Sequence, residues 1–391
     1  MVDFVRTKFP IVFVHGMFGW GENEGINKYF PYWGTTAGSI KRYLYDNEIE
    51  SYEASVGPVS SAWDQACELY AQLKGTRVDY GEFHSRKYSH RRFGRVYEKP
   101  LFDNWSEEKQ IHIIGHSFGG NAARLLIHLL KYGSPDEVKI SGDKVSPLFK
   151  GGQEKLVSSL TVLCTPLNGT NAHQTALRYK LVAPIKFLTI NYVTIMGRTK
   201  LQGNLFDFHL EQFGVNDTPG KKDKVRFNLA LKSFMNTNDN VEYDMSCEGS
   251  NLINEYVKTV PSVYYFSYFF NGVNNRRGKT KTENIRFLFL KATASFMIRD
   301  MKRQNKKILG VDGLVDIESA MYPENEPYMF YNGAECFKTG IWNVMPFKTG
   351  DHGTPIGLFA DKKVMQEFYD NIIYILSACE FHKNAKVEQN D

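Results

Sequence analysis

The sequence lacks the features that mark disulfide-rich and nucleic-acid-binding proteins. It has only five cysteines in 391 residues. They are scattered and odd in number, so we expect no disulfide framework. There is no long run of lysine and arginine, and a formal net charge of +5 is small for this length. We therefore expect no nucleic-acid partner.

The sequence also lacks long apolar runs. The most apolar long stretch, residues 181–196, is short and is interrupted by Pro184, Lys186 and Asn191, so we predict no transmembrane segment. Residues 1–10 have no apolar core of a signal peptide. We expect either a cytoplasmic protein or the mature form of an extracellular one. The oligomeric state is not predictable from these features.

The most informative stretch is an apolar, β-branched run, Ile111–Ile114, that leads directly into Gly-His-Ser-Phe-Gly at 115–119. Residues 121–132 then have the pattern of an amphipathic helix. Strand, tight turn and helix around G-x-S-x-G are the context of a nucleophile elbow, with Ser117 as the nucleophile. The pattern predicts the α/β-hydrolase fold, with a mostly parallel central sheet flanked by helices.

A second glycine-rich turn follows an early strand. Residues 9–14 form a continuous apolar run, typical of a strand buried on both faces, and His15-Gly16-Met17 follows it. In this fold such a turn supplies one backbone N–H to an oxyanion hole. We predict Met17 as that donor and Phe118, after the nucleophile, as the other.

Acyl transfer through a serine needs a base and a carboxylate that orients the base. The chain order in this fold is Ser, acid, His, and Asp312 and His352 follow Ser117 in that order, each beside a glycine. Other acids and bases in that part of the chain are less favoured by position: Asp300, Asp316, Asp351, His209 and His382.

Two further regions have alternative interpretations. His84 and His90 are six positions apart and cannot share a helix face, so by themselves they indicate surface histidines rather than a metal site. Residues 171–240 differ in composition from the core strands. They could form a helical lid over the active site, or a helical decoration without a gating role.

Over nearly its whole length the chain resembles the true lipases of staphylococci and thermophilic bacilli and related clostridial, polyester-accepting esterases. Besides the two glycine-rich turns, the motifs that carry the resemblance are Trp-Asp-Gln-Ala-Cys-Glu-Leu-Tyr at 63–70, Gly-Thr-Arg-Val-Asp-Tyr-Gly at 75–81, Ser-Pro-Leu-Phe-Lys-Gly-Gly at 146–152 and Phe-Asp-Phe-His-Leu-Glu-Gln-Phe-Gly at 206–214.

The resemblance implies a triad of Ser117, Asp312 and His352 within a single catalytic domain, residues 1–391. It also implies a zinc ion held by two histidines and two aspartates, for which this chain offers Asp64, His84, His90 and Asp244. A closed set of four such ligands is typical of structural zinc. The zinc-associated insertions would cover residues 60–95 and 240–250, and the lid about 171–240.

The chain departs from these relatives at several positions. Relatives often bind calcium through acids after the catalytic histidine, but residues 353–357 contain no carboxylate, so calcium binding is doubtful. Phe118 replaces the usual methionine or glutamine, and Leu167 replaces a histidine. Acyl-chain preference therefore cannot be carried over from the family.

These features predict a serine carboxylic-ester hydrolase, a triacylglycerol lipase with wider esterase activity that acts on ester or lipid substrates at a lipid–water interface. An acyltransferase or amidase on the same fold is an alternative. A third hypothesis is a non-catalytic binding protein with this fold, which would be expected to have lost part of the triad.

Overall fold

The computed structural model describes residues 6–180, 205–214, 232–276, 279–333 and 336–388. Thirteen strands lie in these ranges: β1 Ile11–Val14, β2 Ser51–Ala54, β3 Arg77–Asp79, β4 Phe93–Val96, β5 Ile111–His116, β6 Val157–Leu163, β7 Tyr264–Tyr268, β8 Phe270–Asn271, β9 Asn274–Arg276, β10 Lys279–Lys281, β11 Tyr328–Phe330, β12 Trp342–Val344 and β13 Lys348–Thr349.

Twelve α-helices lie in the same ranges: α1 Ile40–Asp46, α2 Ala62–Lys74, α3 Glu82–Tyr88, α4 Gly119–Tyr132, α5 Pro135–Ser141, α6 Pro147–Lys150, α7 Asn171–Arg178, α8 Val241–Asp244, α9 Cys247–Tyr256, α10 Leu288–Arg303, α11 Ile317–Met321 and α12 Lys362–Glu388. No helix among the described residues is long and apolar enough to cross a membrane.

Seven strands form the central sheet in the order β11-β12-β7-β6-β5-β1-β2. All six pairings in it are parallel, which confirms the predicted α/β class. From β1 the chain adds β2 on one side and β5 on the other. Ligands of open parallel sheets bind at such a switch point, beyond the carboxyl ends of the strands. The turns after β1 and β5 both lie there.

The side chains of β1 are all buried and alternate between two core clusters, which explains why its sequence is apolar throughout. Val12 and Val14 pack into a core cluster with residues of α2 and α4, whereas Ile11 and Phe13 pack into a second cluster with residues of α1 and α12. Helices therefore cover both faces of the sheet. A strand between two helical layers has no polar face, which is why the run at residues 9–14 predicted it correctly.

Residues 76–96 depart from the simple alternation of strand and helix. Here β3 and β4 pair antiparallel in a separate two-stranded sheet, and α3 lies between them along the chain. Helix α2 begins with the Ser61 side chain accepting the Asp64 N–H, and ends at Gly75 in a left-handed conformation. These elements carry three of the four predicted zinc ligands. The predicted lid falls mostly on residues 181–204 and 215–231, outside the described residues.

Candidate active site and metal cluster

Ser117 lies on the tight turn between β5 and α4. Its φ is +52°, in the left-handed region that non-glycine residues rarely adopt. The turn leaves no room for side chains: a Cβ on Gly16 would lie 2.7 Å from the Cβ of Ser117, and one on Gly119 would lie 2.3 Å from the His15 carbonyl oxygen. The Ser117 N–H donates to the Leu163 carbonyl at 2.8 Å. Neighbouring backbone therefore fixes the serine in place.

The structure brings together Ser117, Asp312 and His352 from three distant parts of the chain. His352 Nε2 lies 2.9 Å from Ser117 Oγ, and His352 Nδ1 lies 2.8 Å from Asp312 Oδ2. The other oxygen, Asp312 Oδ1, accepts the N–H groups of Leu314 and Val315 at 2.9 and 2.7 Å. Asp312 is buried, and the backbone N–H of His352 donates to its carbonyl. The carboxylate is thus held on the side of the imidazole away from the serine.

The rival acids and bases have other partners. Asp351 accepts the backbone N–H groups of Arg286 and Gly353, so it stabilises its loop. Asp316 accepts from Asn171, and Asp300 pairs with Arg178. The ring of His382 packs against Phe337.

His209, the other rival base, is buried between two carboxylates. Its Nδ1 lies 3.2 Å from Glu68, and its Nε2 lies 3.3 Å from Glu24. Burial and Arg95 oppose a charge on the ring, but the neighbouring carboxylates outweigh them and raise the pKa of His209 to about 10. The ring therefore serves as a cation that neutralises buried acids.

The two predicted oxyanion donors lie on the turns that meet at Ser117. Phe118 directly follows the nucleophile, and its side chain is fully buried in the core. Met17 follows Gly16, which is packed against Ser117. Among the described residues, neither the Met17 N–H nor the Phe118 N–H has a hydrogen-bond acceptor. Neither backbone donor is thus occupied by an acceptor within the described part of the chain.

A buried hydrogen-bond chain that the sequence did not reveal connects these two turns to His352. The Gly16 N–H donates to the Tyr32 hydroxyl at 3.0 Å, and the Tyr32 O–H lies 2.7 Å from His116 Nδ1. His116 Nε2 lies 2.9 Å from the carbonyl oxygen of His352. Burial, together with His352, holds the pKa of His116 well below its ordinary value. His116 is therefore neutral, with its proton on Nε2 and donated to His352. Tyr32 is 84 positions from His116, and its sequence context carries no signal of this contact.

A second group of buried polar side chains lies at α2, α3 and the turn before α8. It consists of Asp64, His84, His90 and Asp239, with one ligand atom from each within 4.8 Å of the others. His84 Nε2 lies 3.3 Å from Asp64 Oδ1 and 3.2 Å from Asp239, while His90 Nε2 lies 3.1 Å from Asp239. Two nitrogens and two carboxylates at this spacing match the ligand chemistry of zinc.

The structure corrects the fourth member of this cluster from Asp244 to Asp239. Asp244 ends the short helix α8, and its Oδ2 accepts the backbone N–H of Ala62 at 2.7 Å. Its carboxylate therefore caps the start of α2. Asp239 precedes Asn240, the N-cap of α8, and faces both histidines. The two aspartates are only five positions apart, and the path of the chain decides which of them faces the histidines.

The electrostatics of the cluster favour a cation. Burial opposes charged rings, but Asp239 and Asp64 outweigh it and raise the pKa of both histidines, that of His84 to about 10. Burial likewise opposes a charge on Asp239, but the two histidines outweigh it and lower the pKa of this carboxyl group. Asp64 Oδ1 and His90 Nε2 are buried without a hydrogen bond of acceptable geometry. Buried polar atoms normally have a hydrogen-bond partner, so two that lack one and lie in the same cluster are consistent with an ion bound between them.

Neighbouring groups orient these side chains. His90 Nδ1 donates to the Arg91 carbonyl at 2.8 Å, which directs Nε2 towards the cluster. Gln212 Nε2 donates to Asp64 Oδ2 at 2.7 Å, and the His84 ring stacks on Trp63 at a centroid distance of 5.0 Å. Outer partners of this kind fix the tautomer and the orientation of metal ligands.

The chain is similar in sequence to known proteins of one family. The family model described as "Lipase-like, C-terminal domain" matches residues 7–386. Lipase 2 of Staphylococcus aureus is 33% identical over 385 residues, which cover 94% of this chain and 54% of the relative. Lipase 1 of S. aureus is 32% identical over 382 residues, with the same two coverages. The chain thus spans about half the length of the curated relatives it matches.

Two solved structures are similar over nearly the whole chain. Staphylococcus hyicus lipase has a TM-score of 0.82 and 30% identity, covering 97% of both chains. EstA from Clostridium botulinum has a TM-score of 0.79 and 32% identity, covering 97% of this chain and 89% of that one. The predicted kinship with staphylococcal lipases and clostridial esterases is confirmed. From its sequence and its fold alike, the chain belongs to the family of lipase-like C-terminal domains.

Proposed function

We propose that this chain is a serine carboxylic-ester hydrolase, a triacylglycerol lipase with wider esterase activity. The observation that carries the proposal is the hydrogen-bond series from Ser117 Oγ to His352 Nε2 and from His352 Nδ1 to Asp312, with distances of 2.9 and 2.8 Å. A buried serine on a strained turn, beside an oriented imidazole, has the geometry of an activated nucleophile. Membership of a lipase-like family supports an ester as the substrate.

In the first half-reaction, His352 Nε2 takes the proton of Ser117 as the oxygen attacks the ester carbonyl. Asp312 keeps the His352 proton on Nδ1 and stabilises the imidazolium that forms. His352 then gives its proton to the departing alcohol, and the acyl group remains on Ser117. The N–H groups of Leu314 and Val315 donate to Asp312 Oδ1 and hold this side chain in position throughout.

The negative charge on the carbonyl oxygen is stabilised by the backbone N–H groups of Met17 and Phe118. Each such donor lowers the barrier by about 3 kcal/mol, because it is already in place before the charge develops. In the second half-reaction His352 accepts a proton from water as the water oxygen attacks the acyl carbonyl; the bond to Ser117 Oγ then breaks, His352 returns the proton to this oxygen, and the acid is released. The same two donors serve both steps.

The four-residue cluster of Asp64, His84, His90 and Asp239 is proposed to hold a structural zinc ion. When bound, zinc would supply a fixed positive charge that links α2, α3 and the turn before α8, and no reacting group. All four ligand positions come from the protein, which is typical of structural rather than catalytic zinc. The ester chemistry above uses only the residues around Ser117.

The substrate is proposed to be an ester or lipid presented at a lipid–water interface, with the insertion at about 171–240 acting as a lid. An acyltransferase on the same fold would use the same acyl-enzyme and pass it to an acceptor other than water. The partition of the acyl group between water and an added alcohol distinguishes the two activities. A non-catalytic binding protein is disfavoured, because Ser117, Asp312 and His352 are all present and in hydrogen-bond contact.

The proposal is tested by Ser117→Ala on a chromogenic ester. Removing the nucleophile should lower kcat by roughly five to six orders of magnitude, while the melting temperature stays within a few degrees of the parent. A serine-directed phosphonate should label the parent at one residue and leave the variant unlabelled. Turnover that survives this substitution would overturn the mechanism.

A further inference from the structure

Cys164 lies against the two residues that orient and activate Ser117. It follows β6, is fully buried, and has a φ of +54°. Its N–H donates to the Tyr268 carbonyl at 2.9 Å, which holds the strained turn in place. Its sulfur, a carboxylate oxygen of Asp312 and a ring nitrogen of His352 all lie within 4.8 Å of one another.

The sulfur of Cys164 faces a buried carboxylate. Burial and the negative charge of Asp312 raise the pKa of the thiol well above its ordinary value, so the group is a neutral thiol beside this carboxylate. Asp312 already accepts two backbone N–H groups on Oδ1 and His352 Nδ1 on Oδ2. The sulfur of Cys164, a carboxylate oxygen of Asp312 and a ring nitrogen of His352 therefore lie close together in the interior. Two exchangeable protons lie among them, one on the thiol and one on His352 Nδ1.

We propose that Cys164, Asp312 and His352 form an inhibitory binding site for a soft divalent cation of the zinc or cadmium kind. Thiolate and imidazole are preferred ligands of these ions, and one carboxylate completes a three-ligand set. Tetrahedral coordination needs ligand atoms about 3.3 to 3.8 Å apart. His352 Nδ1 and Asp312 Oδ2, now 2.8 Å apart, must therefore separate slightly, and the sulfur, within 4.8 Å of both residues, must approach; shifts of about 1 Å or less bring the three atoms to these distances.

The charges and protons balance in this complex. The cation binds the thiolate of Cys164, the carboxylate of Asp312 and Nδ1 of His352. The thiol proton is released to solvent, and the proton of the neutral imidazole moves from Nδ1 to Nε2. A doubly charged ion with two anionic ligands gives a neutral unit, which lowers the cost of burying the ion.

Inhibition follows from the tautomer and rests on the proposed function. With the metal on Nδ1, His352 carries its proton on Nε2 and cannot accept the proton of Ser117. The substrate pocket stays open, so the cation should lower kcat more than it changes KM. This site differs in chemistry from the cluster of Asp64, His84, His90 and Asp239, which contains no sulfur.

The test uses cadmium ions and the zinc-loaded protein. Cadmium bound to a thiolate has a charge-transfer absorption band in the ultraviolet, and this absorption does not depend on ester hydrolysis. We compare the parent, Cys164→Ala, Cys164→Ser and, as a matched control, Cys336→Ser, which removes an exposed thiol. Each hydrolysis rate is expressed relative to the same protein's metal-free rate, after incubation long enough for an ion to reach a buried site.

We expect the parent and Cys336→Ser to gain the Cys164 absorption band and to lose at least tenfold in kcat, with recovery on adding a chelator. Cys164→Ala and Cys164→Ser should lack this band and keep their own metal-free rates. Absence of a band that depends on Cys164 overturns the site. A band without loss of kcat overturns the inhibitory role. A protein that binds cadmium at Cys164 but never hydrolyses esters refutes the proposed function and leaves the site supported.

Discussion

The Ser117–His352–Asp312 triad and the metal cluster are both assembled from buried polar residues that are distant in sequence, but they differ in how their polar atoms are satisfied. In the triad, backbone hydrogen bonds fix the turn of Ser117 and the carboxylate of Asp312. In the cluster, Asp64 Oδ1 and His90 Nε2 have no hydrogen-bond partner of acceptable geometry. The polar atoms of the triad are satisfied by the chain itself, whereas the cluster leaves two buried polar atoms for the cation that we propose it binds.

The difference lies in the supporting elements. The triad residues follow strands or occupy turns, so main-chain geometry places them. The cluster depends on how α2, α3 and the turn before α8 pack together, because two of its members project from separate helices. We therefore expect substitutions in the triad to affect rate with little loss of stability, and substitutions in the cluster to do the reverse.

The largest expected effect is that of Asp312→Asn. An amide cannot hold the proton of His352 on Nδ1, so kcat for a chromogenic ester should fall by roughly 10⁴-fold. Bound zinc and the melting temperature should change little, since an amide oxygen in the place of Oδ1 can still accept the N–H groups of Leu314 and Val315. A variant with nearly full activity would show that Asp312 does not orient the base.

The next effect distinguishes two neighbouring aspartates. Asp239→Ala should abolish stoichiometric metal binding and lower the free energy of unfolding by about 3 to 5 kcal/mol, because it leaves buried groups unpaired. Asp244→Ala is the matched control. It should keep the metal and lose about 1 kcal/mol, since its carboxylate accepts only the Ala62 N–H at the start of α2.

Metal content by elemental analysis and unfolding by denaturant decide between the two aspartates. If Asp244→Ala loses the metal and Asp239→Ala keeps it, the assignment of the fourth ligand is reversed. Residual ester hydrolysis in folded Asp239→Ala protein would support a structural role for the ion.

A smaller effect is expected for Tyr32→Phe. The substitution removes the acceptor of the Gly16 N–H and the donor to His116, so one end of the chain that reaches the His352 carbonyl is lost. Leaving these buried groups unpaired should cost about 1 to 3 kcal/mol of stability. A decrease in kcat of roughly tenfold, or 1.4 kcal/mol of barrier, is expected if the chain also positions His352.

The control for Tyr32→Phe is Tyr52→Phe, which removes an exposed hydroxyl bonded to Glu50. It should change neither kcat nor stability measurably. Equal kcat for the two variants would mean that the buried chain stabilises the fold without positioning the base.

A pH-dependent effect is expected for His209, where a proton fulfils the role that we assign to a cation in the metal cluster. Its pKa is raised in the folded protein to about 10, compared with about 6.5 in the unfolded chain. The stabilisation is therefore fully present below about 6.5 and is lost as the pH rises towards 10. We expect the free energy of unfolding to decrease across this window. His209→Gln should be less stable at low pH and should lack that part of the decrease, and an unchanged pH dependence would contradict the assignment.

Several features of the fold were predictable because they depend on neighbouring residues. The apolar run at residues 9–14 predicted β1, since a strand covered on both faces needs apolar residues throughout. Gly-His-Ser-Phe-Gly predicted the elbow because glycines permit the close contacts around Ser117. The helix predicted at 121–132 begins two residues earlier, at Gly119, because the elbow turn continues directly into it.

Other features depended on contacts between distant segments. Asp244 was predicted to belong to the cluster, but α8 turns Asp244 towards α2 and leaves Asp239 facing the histidines. Tyr32 and Cys164 lie in segments with no motif, yet one reaches His116 and the other Asp312. Such contacts arise from how strands and helices pack, which no local pattern encodes.

The sequence by itself determined the class of fold, the elbow and the chemical types of the groups around Ser117, because turn geometry and two-sided burial leave direct traces in residue choice. Only the tertiary structure decided which aspartate joins His84 and His90, and that His116 contacts the His352 carbonyl. It also decided that the Cys164 thiol lies against Asp312. These depend on distances between side chains separated by tens to hundreds of residues, and packing sets those distances.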